Sequence, residues 1–114
     1  MMSLQNPKPS DGEPIHCVYW LHMPDHTDPM SQGYVGIVSN KRRKTREREH
    51  RQNRRIPAGF VVTWLAENLT RFEAAKIEWE HRKQRHIGWN TKQGGGKFIR
   101  NLMEQMEASP VSTT

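Results

Sequence analysis

Arg46 and His50 stand four residues apart inside NKRRKTREREHRQNRR (residues 40–55), a segment without one apolar side chain. On a helix that spacing puts both on one face, a turn apart. The pair suits work on phosphate. A guanidinium holds a phosphate oxygen through two parallel hydrogen bonds and offsets the charge that builds in a transition state. An imidazole titrates near neutrality and can orient a water or shuttle its proton. A solvated basic face is the plainer reading of the same residues. The remaining cations of the block, Lys41, Arg42, Arg43, Lys44, Arg48, Arg51, Arg54 and Arg55, are expected to grip a phosphate backbone. Such contacts position nucleic acid without reading its sequence.

The whole composition leans the same way. The chain has 114 residues, a formal net charge of +6 and a sequence pI near 9.9, which points to a polyanionic partner. Only 33% of residues are apolar, so the core is one small sheet with two or three helices on it. Cys17 is the single cysteine, which excludes an intramolecular disulfide and suits a reducing cytoplasm. No apolar run approaches the roughly 20 residues of a membrane span. His16, Cys17, His22 and His26 fall at no standard zinc spacing, and strand alternation sends the first three to different faces.

The elements that must position these groups follow from patterning. Residues 15–23 (IHCVYWLHM) and 33–38 (GYVGIV) read as strands joined by a loop rich in Pro and Asp, an antiparallel hairpin. Residues 40–55 read as an exposed helix that Asn40 caps and that Pro57 and Gly59 end. Residues 60–66 (FVVTWLA) are nearly all apolar and are expected to be the most buried strand. Thr70 and Glu73 have the spacing of a capping box. The helix they open places Phe72, Ala75 and Trp79 on one face. Phe98, Ile99, Leu102, Met103 and Met106 recur at helical spacing and predict a last amphipathic helix that closes the core. The expected fold class is α+β: a small three-stranded mixed or antiparallel sheet flanked by helices, one domain over residues 15–107. Segments 1–14 and 108–114 are expected to be flexible.

Val18-Tyr19-Trp20 and Tyr34-Val35-Gly36 are followed, in order, by Arg46-x-x-x-His50, Ala74-x-x-x-Glu78 and Ile87-Gly88-Trp89-Asn90, with glycines at 94–96 beyond. This series resembles the motifs of the GIY-YIG nuclease superfamily over about residues 16–96. The family's β-β-α-β-α core agrees with the element order read above. The resemblance implies that Tyr19, Tyr34, Arg46, His50, Glu78 and Asn90 meet at one face of the sheet. It makes Glu78 the ligand of one Mg²⁺ or Mn²⁺, hard cations that take carboxylate oxygen and keep several waters. One carboxylate points to a one-metal mechanism. It makes one tyrosine the general base or water positioner, without deciding which, and makes Asn90 a hydrogen-bonder that closes the site. The stretch from Gly36 to Arg46 is slightly longer than the family pattern, so Arg43 stands beside Arg46 as the candidate arginine.

The implied activity is metal-dependent endonucleolytic hydrolysis of phosphodiester bonds in DNA, double-stranded DNA above all. A short stand-alone domain without a reader module fits a phage or mobile-element nuclease acting in the bacterial cytoplasm, with the oligomeric state left open and a monomer among the options. Two other readings compete: a basic nucleic-acid-binding protein that does not cut, and a small basic, ribosome-associated protein. Convergence of Tyr19, Tyr34, Arg46 and Glu78 in one cleft separates the first from both.

Overall fold

The computed structural model describes residues 12–108. Most of the two segments expected to be flexible lies outside them. Three strands form one antiparallel sheet: β1 (His16–His22), β2 (Tyr34–Ser39) and β3 (Val61–Leu69), in the order β2-β1-β3. The register sets Tyr19 opposite Gly36 on one side and opposite Trp64 on the other. A single 3₁₀ turn (Asn40–Arg42) leads from β2 into α1 (Arg43–Arg51). Helices α2 (Arg71–His81) and α3 (Gly96–Ala108) complete the α+β fold.

Because β1 is central and both faces of the sheet are covered, all seven of its residues are buried. Alternation then sorts them. Cys17, Tyr19 and Leu21 pack with Val38, Ile56 and Phe60 on the face that α1 and its exit loop cover. Val18 and Trp20 pack with Val35 and with Ala74 of α2 on the other. The strand expected to be most buried, at 60–66, is instead an edge strand. It runs from Val61 to Leu69 and holds only exposed and half-buried positions. Its apolar composition reflects contact on one face and bonding on one side only, and the central place belongs to the first strand of the hairpin.

The capping box of α2 forms as its spacing predicts. The Glu73 amide donates to Thr70 Oγ1 at 3.1 Å, and the Thr70 amide donates to Glu73 Oε1 at 2.9 Å. The buried stripe of the helix is Ala74, Ala75 and Trp79, whereas Phe72 is 47% exposed. Phe72 sits in the first turn of α2 and joins none of the core clusters among the described residues. The helix ends at His81. Helix α3 closes the core through Ile99, packed on Ala75 and Trp79 with Met103 alongside. Asn40 does not cap a helix. Its side-chain oxygen accepts from Cys17 Sγ at 3.0 Å, and Ser39 precedes the 3₁₀ turn without a side-chain cap.

The two aromatic residues of α2 are predicted to behave oppositely. Trp79→Ala removes the ring shared by α2 and α3 and is expected to lower stability by about 3–5 kcal/mol. Phe72→Ala is expected to change it by no more than about 0.5 kcal/mol. Urea denaturation followed by far-UV circular dichroism measures both.

Candidate functional site

Tyr19 anchors the site. It is 2% exposed, and its hydroxyl lies 2.7 Å from His50 Nε2 on the last turn of α1. Gly36 makes room for it. A Cβ at that position would stand 2.5 Å from the Tyr19 hydroxyl oxygen and 2.9 Å from Tyr34 Cε1, so any side chain there would displace both tyrosines. Tyr34 is half-buried beside them. Its ring centroid is 6.2 Å from that of Tyr19 and 5.0 Å from that of His50. Arg46, one turn before His50, donates from Nη1 to the Ile37 carbonyl at 3.1 Å and pairs through Nε with Glu49 at 3.3 Å. The helical spacing of Arg46 and His50 thus does what the sequence suggested: both side chains reach the tyrosines from one helix.

Glu78 and Asn90 arrive from the other side of Tyr34. Glu78 Oε2 accepts from Arg82 Nη1 at 2.9 Å, and Oε1 accepts from the Gly95 amide at 2.8 Å. Gly94 is needed for this approach, since a Cβ there would lie 2.8 Å from Glu78 Cγ. Arg82 also donates to the Val35 carbonyl at 3.0 Å and, through Nε and Nη2, to the Lys92 carbonyl, and its guanidinium stands 5.4 Å from the centre of the Tyr34 ring. Asn90, 2% exposed, takes the Val35 amide on Oδ1 at 3.2 Å and donates from Nδ2 to the Ile87 carbonyl at 2.9 Å. With a longer contact of 3.5 Å from Nδ2 to the Gly33 carbonyl, its amide brackets the backbone on both sides of Tyr34.

The electrostatics assign protonation states. Burial drives the Tyr19 phenol far above its ordinary value, and the neighbouring Tyr34 and the Glu78 carboxylate push the same way; Arg46 opposes them by hydrogen bonding and by charge. Burial and then the Arg46 charge lower the His50 pKa, against a smaller pull from Glu49. Burial works against the charge of Arg46, but its interactions with Tyr19, Glu49 and Tyr34 outweigh that and raise its pKa. At neutral pH the resting pair is therefore a neutral phenol and a neutral imidazole joined by one hydrogen bond, whose direction the imidazole tautomer sets.

A carboxylate offers about four lone-pair positions, of which Arg82 and Gly95 take two on Glu78. The remainder fits one hydrated hard cation held by a single protein ligand. It does not fit a cage of protein ligands: among the described residues no group of three or more His, Cys, Asp or Glu is placed to hold an ion.

Of the two candidate arginines, Arg46 is the one whose charge acts on Tyr19. The Arg43 guanidinium is committed elsewhere, 4.3 Å over the Trp64 ring, with Nη2 2.8 Å from Cys17 Sγ and 3.4 Å from Glu67. Arg43 is thereby less free to grip a backbone than its place in the basic run suggested. Arg42 pairs with Glu49 and Arg51 with Glu47. Lys41, Lys44, Arg48, Arg54 and Arg55 are exposed, and their side chains form no ion pair among the described residues.

Arg82 is the member of the assembly that sequence reasoning passed over. Its signal was the acid-to-base spacing of four from Glu78 on a helix. That signal is unspecific, because Glu47 and Arg51 share it on α1. No known family model matches this chain, and no curated protein or solved structure matches it significantly.

Two outcomes are predicted. Asn90→Ala strands the buried Val35 amide and is expected to cost about 1–3 kcal/mol by chemical denaturation. The second concerns His50, whose folded pKa lies below its unfolded value of about 6.5. The unfolded chain therefore binds the His50 proton first. Its contribution to stability is full above that pH and declines as the pH falls toward the depressed folded value. Melting temperatures between pH 7.5 and 5 should fall more for wild type than for His50→Gln.

Proposed function

We propose that the chain is a divalent-metal-dependent endonuclease of the GIY-YIG type that hydrolyses phosphodiester bonds in DNA. The observation that carries this reading is the cluster around Tyr34. A Tyr19–His50 hydrogen bond flanked by Arg46 lies on one side, and a half-buried carboxylate with two of its lone-pair positions still open, Glu78, lies on the other. Phosphodiester hydrolysis needs a proton acceptor, a cation for the phosphoryl oxygens and help for the leaving oxygen. The cluster holds candidates for each.

The chain's own residues divide the work as follows. His50 is neutral at pH 7 and accepts the Tyr19 proton at Nε2. A water bonded to the phenol oxygen passes its proton to Tyr19 as it attacks phosphorus and the P–O bond to the leaving oxygen breaks; the Tyr19 proton moves to His50, and the departing alkoxide takes a proton from solvent. One proton is taken up by the pair, and Tyr19 need never persist as a phenolate, the form its surroundings disfavour. Arg46 has five donors and uses three on Tyr19, Ile37 and Glu49, so it retains donors for a phosphoryl oxygen. Tyr34 forms the half-exposed wall of the site, and Asn90 fixes its backbone. Glu78 would hold the Mg²⁺ or Mn²⁺, which when bound supplies positive charge for the phosphoryl and leaving oxygens. The unpaired cations Lys41, Lys44, Arg48, Arg54 and Arg55 position the duplex.

One observation favours a second reading. Both Glu78 oxygens already have donors, an arrangement that also suits a purely structural carboxylate in a basic nucleic-acid-binding protein.

Nicking of supercoiled plasmid separates the two. We expect cleavage that requires Mg²⁺ or Mn²⁺ and stops with chelator, and a fall of at least about 10²-fold in Arg46→Ala and Glu78→Ala variants that remain folded. Retained DNA binding with no metal-dependent cleavage by wild type would establish the second reading. Binding itself is expected to weaken steeply with salt, with a slope of about −0.9 per phosphate neutralised. A flat dependence would remove the basic segment from the DNA interface.

A further inference from the structure

The geometry points to Arg82 as a positioning residue that keeps the Glu78 carboxylate closed to divalent ions until a phosphate lies beside it. This rests on the reading above, in which Glu78 is the metal ligand.

The Arg82 guanidinium is fixed independently of the carboxylate it pairs with. Nε and Nη2 both donate to the Lys92 carbonyl, at 3.2 and 2.8 Å, and Nη1 donates to the Val35 carbonyl at 3.0 Å as well as to Glu78. Three bonds to two backbone carbonyls hold the cation where it is, so it cannot follow the carboxylate away. Glu78 is equally confined. The Gly95 amide takes its other oxygen, and the backbone of Gly94 lies against its Cγ. The side chains are 9% and 14% exposed, which leaves little water or salt to screen a third charge. An arriving divalent ion therefore meets a carboxylate whose charge is already matched and a guanidinium that cannot retreat.

The Arg46–Glu49 pair shows the contrast. Its side chains are 31% and 51% exposed, and solvent can replace either partner. A phosphodiester seated near Tyr34 would change the balance at Arg82, because its negative charge offsets the guanidinium and restores the carboxylate's pull on a cation. Ion and nucleic acid then favour each other's binding, and by linkage the coupling is reciprocal. The free protein holds its ion weakly, and the charge that completes the site comes with the substrate.

Mn²⁺ titration of the full chain, with free aqua ion counted by electron paramagnetic resonance, tests this without any cleavage step. Wild type, Arg82→Lys, Arg82→Gln, Glu78→Gln and the double variant Glu78→Gln/Arg82→Gln are compared, each checked for folding by thermal melting. We expect Arg82→Gln to bind Mn²⁺ at least about tenfold tighter than wild type and Arg82→Lys to lie between them, with the gain abolished in the double variant. A duplex with non-hydrolysable methylenephosphonate linkages, after subtraction of the Mn²⁺ that the duplex binds alone, should tighten wild type toward the Arg82→Gln value. Arg82→Gln binding no tighter than wild type would overturn the role of Arg82, and the metal reading would survive if wild-type binding is itself lost in Glu78→Gln. If no variant binds Mn²⁺ with or without duplex, the metal reading falls and takes this inference with it. Should Arg82→Gln fail to fold, unchanged affinity in Arg82→Lys is the overturning result.

Discussion

The unpaired edge of β2 is the constraint on which the rest of the site depends. An edge strand turns the amide and carbonyl of alternate residues away from its partner, and buried backbone groups must find other partners. On β2 the outward residues are Val35 and Ile37. The Val35 amide goes to Asn90, the Val35 carbonyl to Arg82 and the Ile37 carbonyl to Arg46. Three side chains from three different segments are thus recruited to one strip of backbone for an ordinary structural reason. The strip lies directly beside Tyr34, so satisfying the edge also assembles the candidate site. The same bonds prevent another chain from adding a strand there.

Helix α1 shows how a segment with no apolar residue can still dock on a sheet. Its contact is made by rings and guanidinium groups in place of an aliphatic stripe. His50 packs between Tyr19 and Tyr34, Arg43 lies over Trp64, and Arg51 lies 4.7 Å over Phe60. Arginine covers aromatic surface with its planar head and its methylene stem while its charge stays hydrated at the rim. The basic run therefore serves two physical purposes. Its inner arginines hold the helix down, and the outer cations remain available to a polyanion.

Much of the local structure was legible in the sequence. The hairpin strands, the capping box of α2, the exposed character of α1 and the shared helical face of Arg46 and His50 each follow from spacing within a few residues, and each forms. The burial order of the strands and the exposure of Phe72 were not legible. Composition records that a segment is apolar, but whether a strand is central or at an edge depends on which strands pair with it, and that is a property of the whole chain. Asn40 illustrates the same limit. An asparagine before a helical run suits a cap, yet here the buried thiol of Cys17, 23 positions away, claims its oxygen.

Glu47–Arg51 and Glu78–Arg82 carry the same signature, a glutamate four residues before an arginine on a helix. The sequence determined that both would pair, because the spacing alone brings the side chains together. It could not distinguish them further. The first pair is open to solvent, its side chains 53% and 40% exposed for Arg51 and Glu47, and water and salt leave it little energy. The second lies where the end of α2, the edge of β2 and the turn at Lys92 converge, its side chains 9% and 14% exposed for Arg82 and Glu78. Only the tertiary structure decided that difference, because the strength of a charge pair is set by the solvent it excludes, and that exclusion is built by segments remote in the chain.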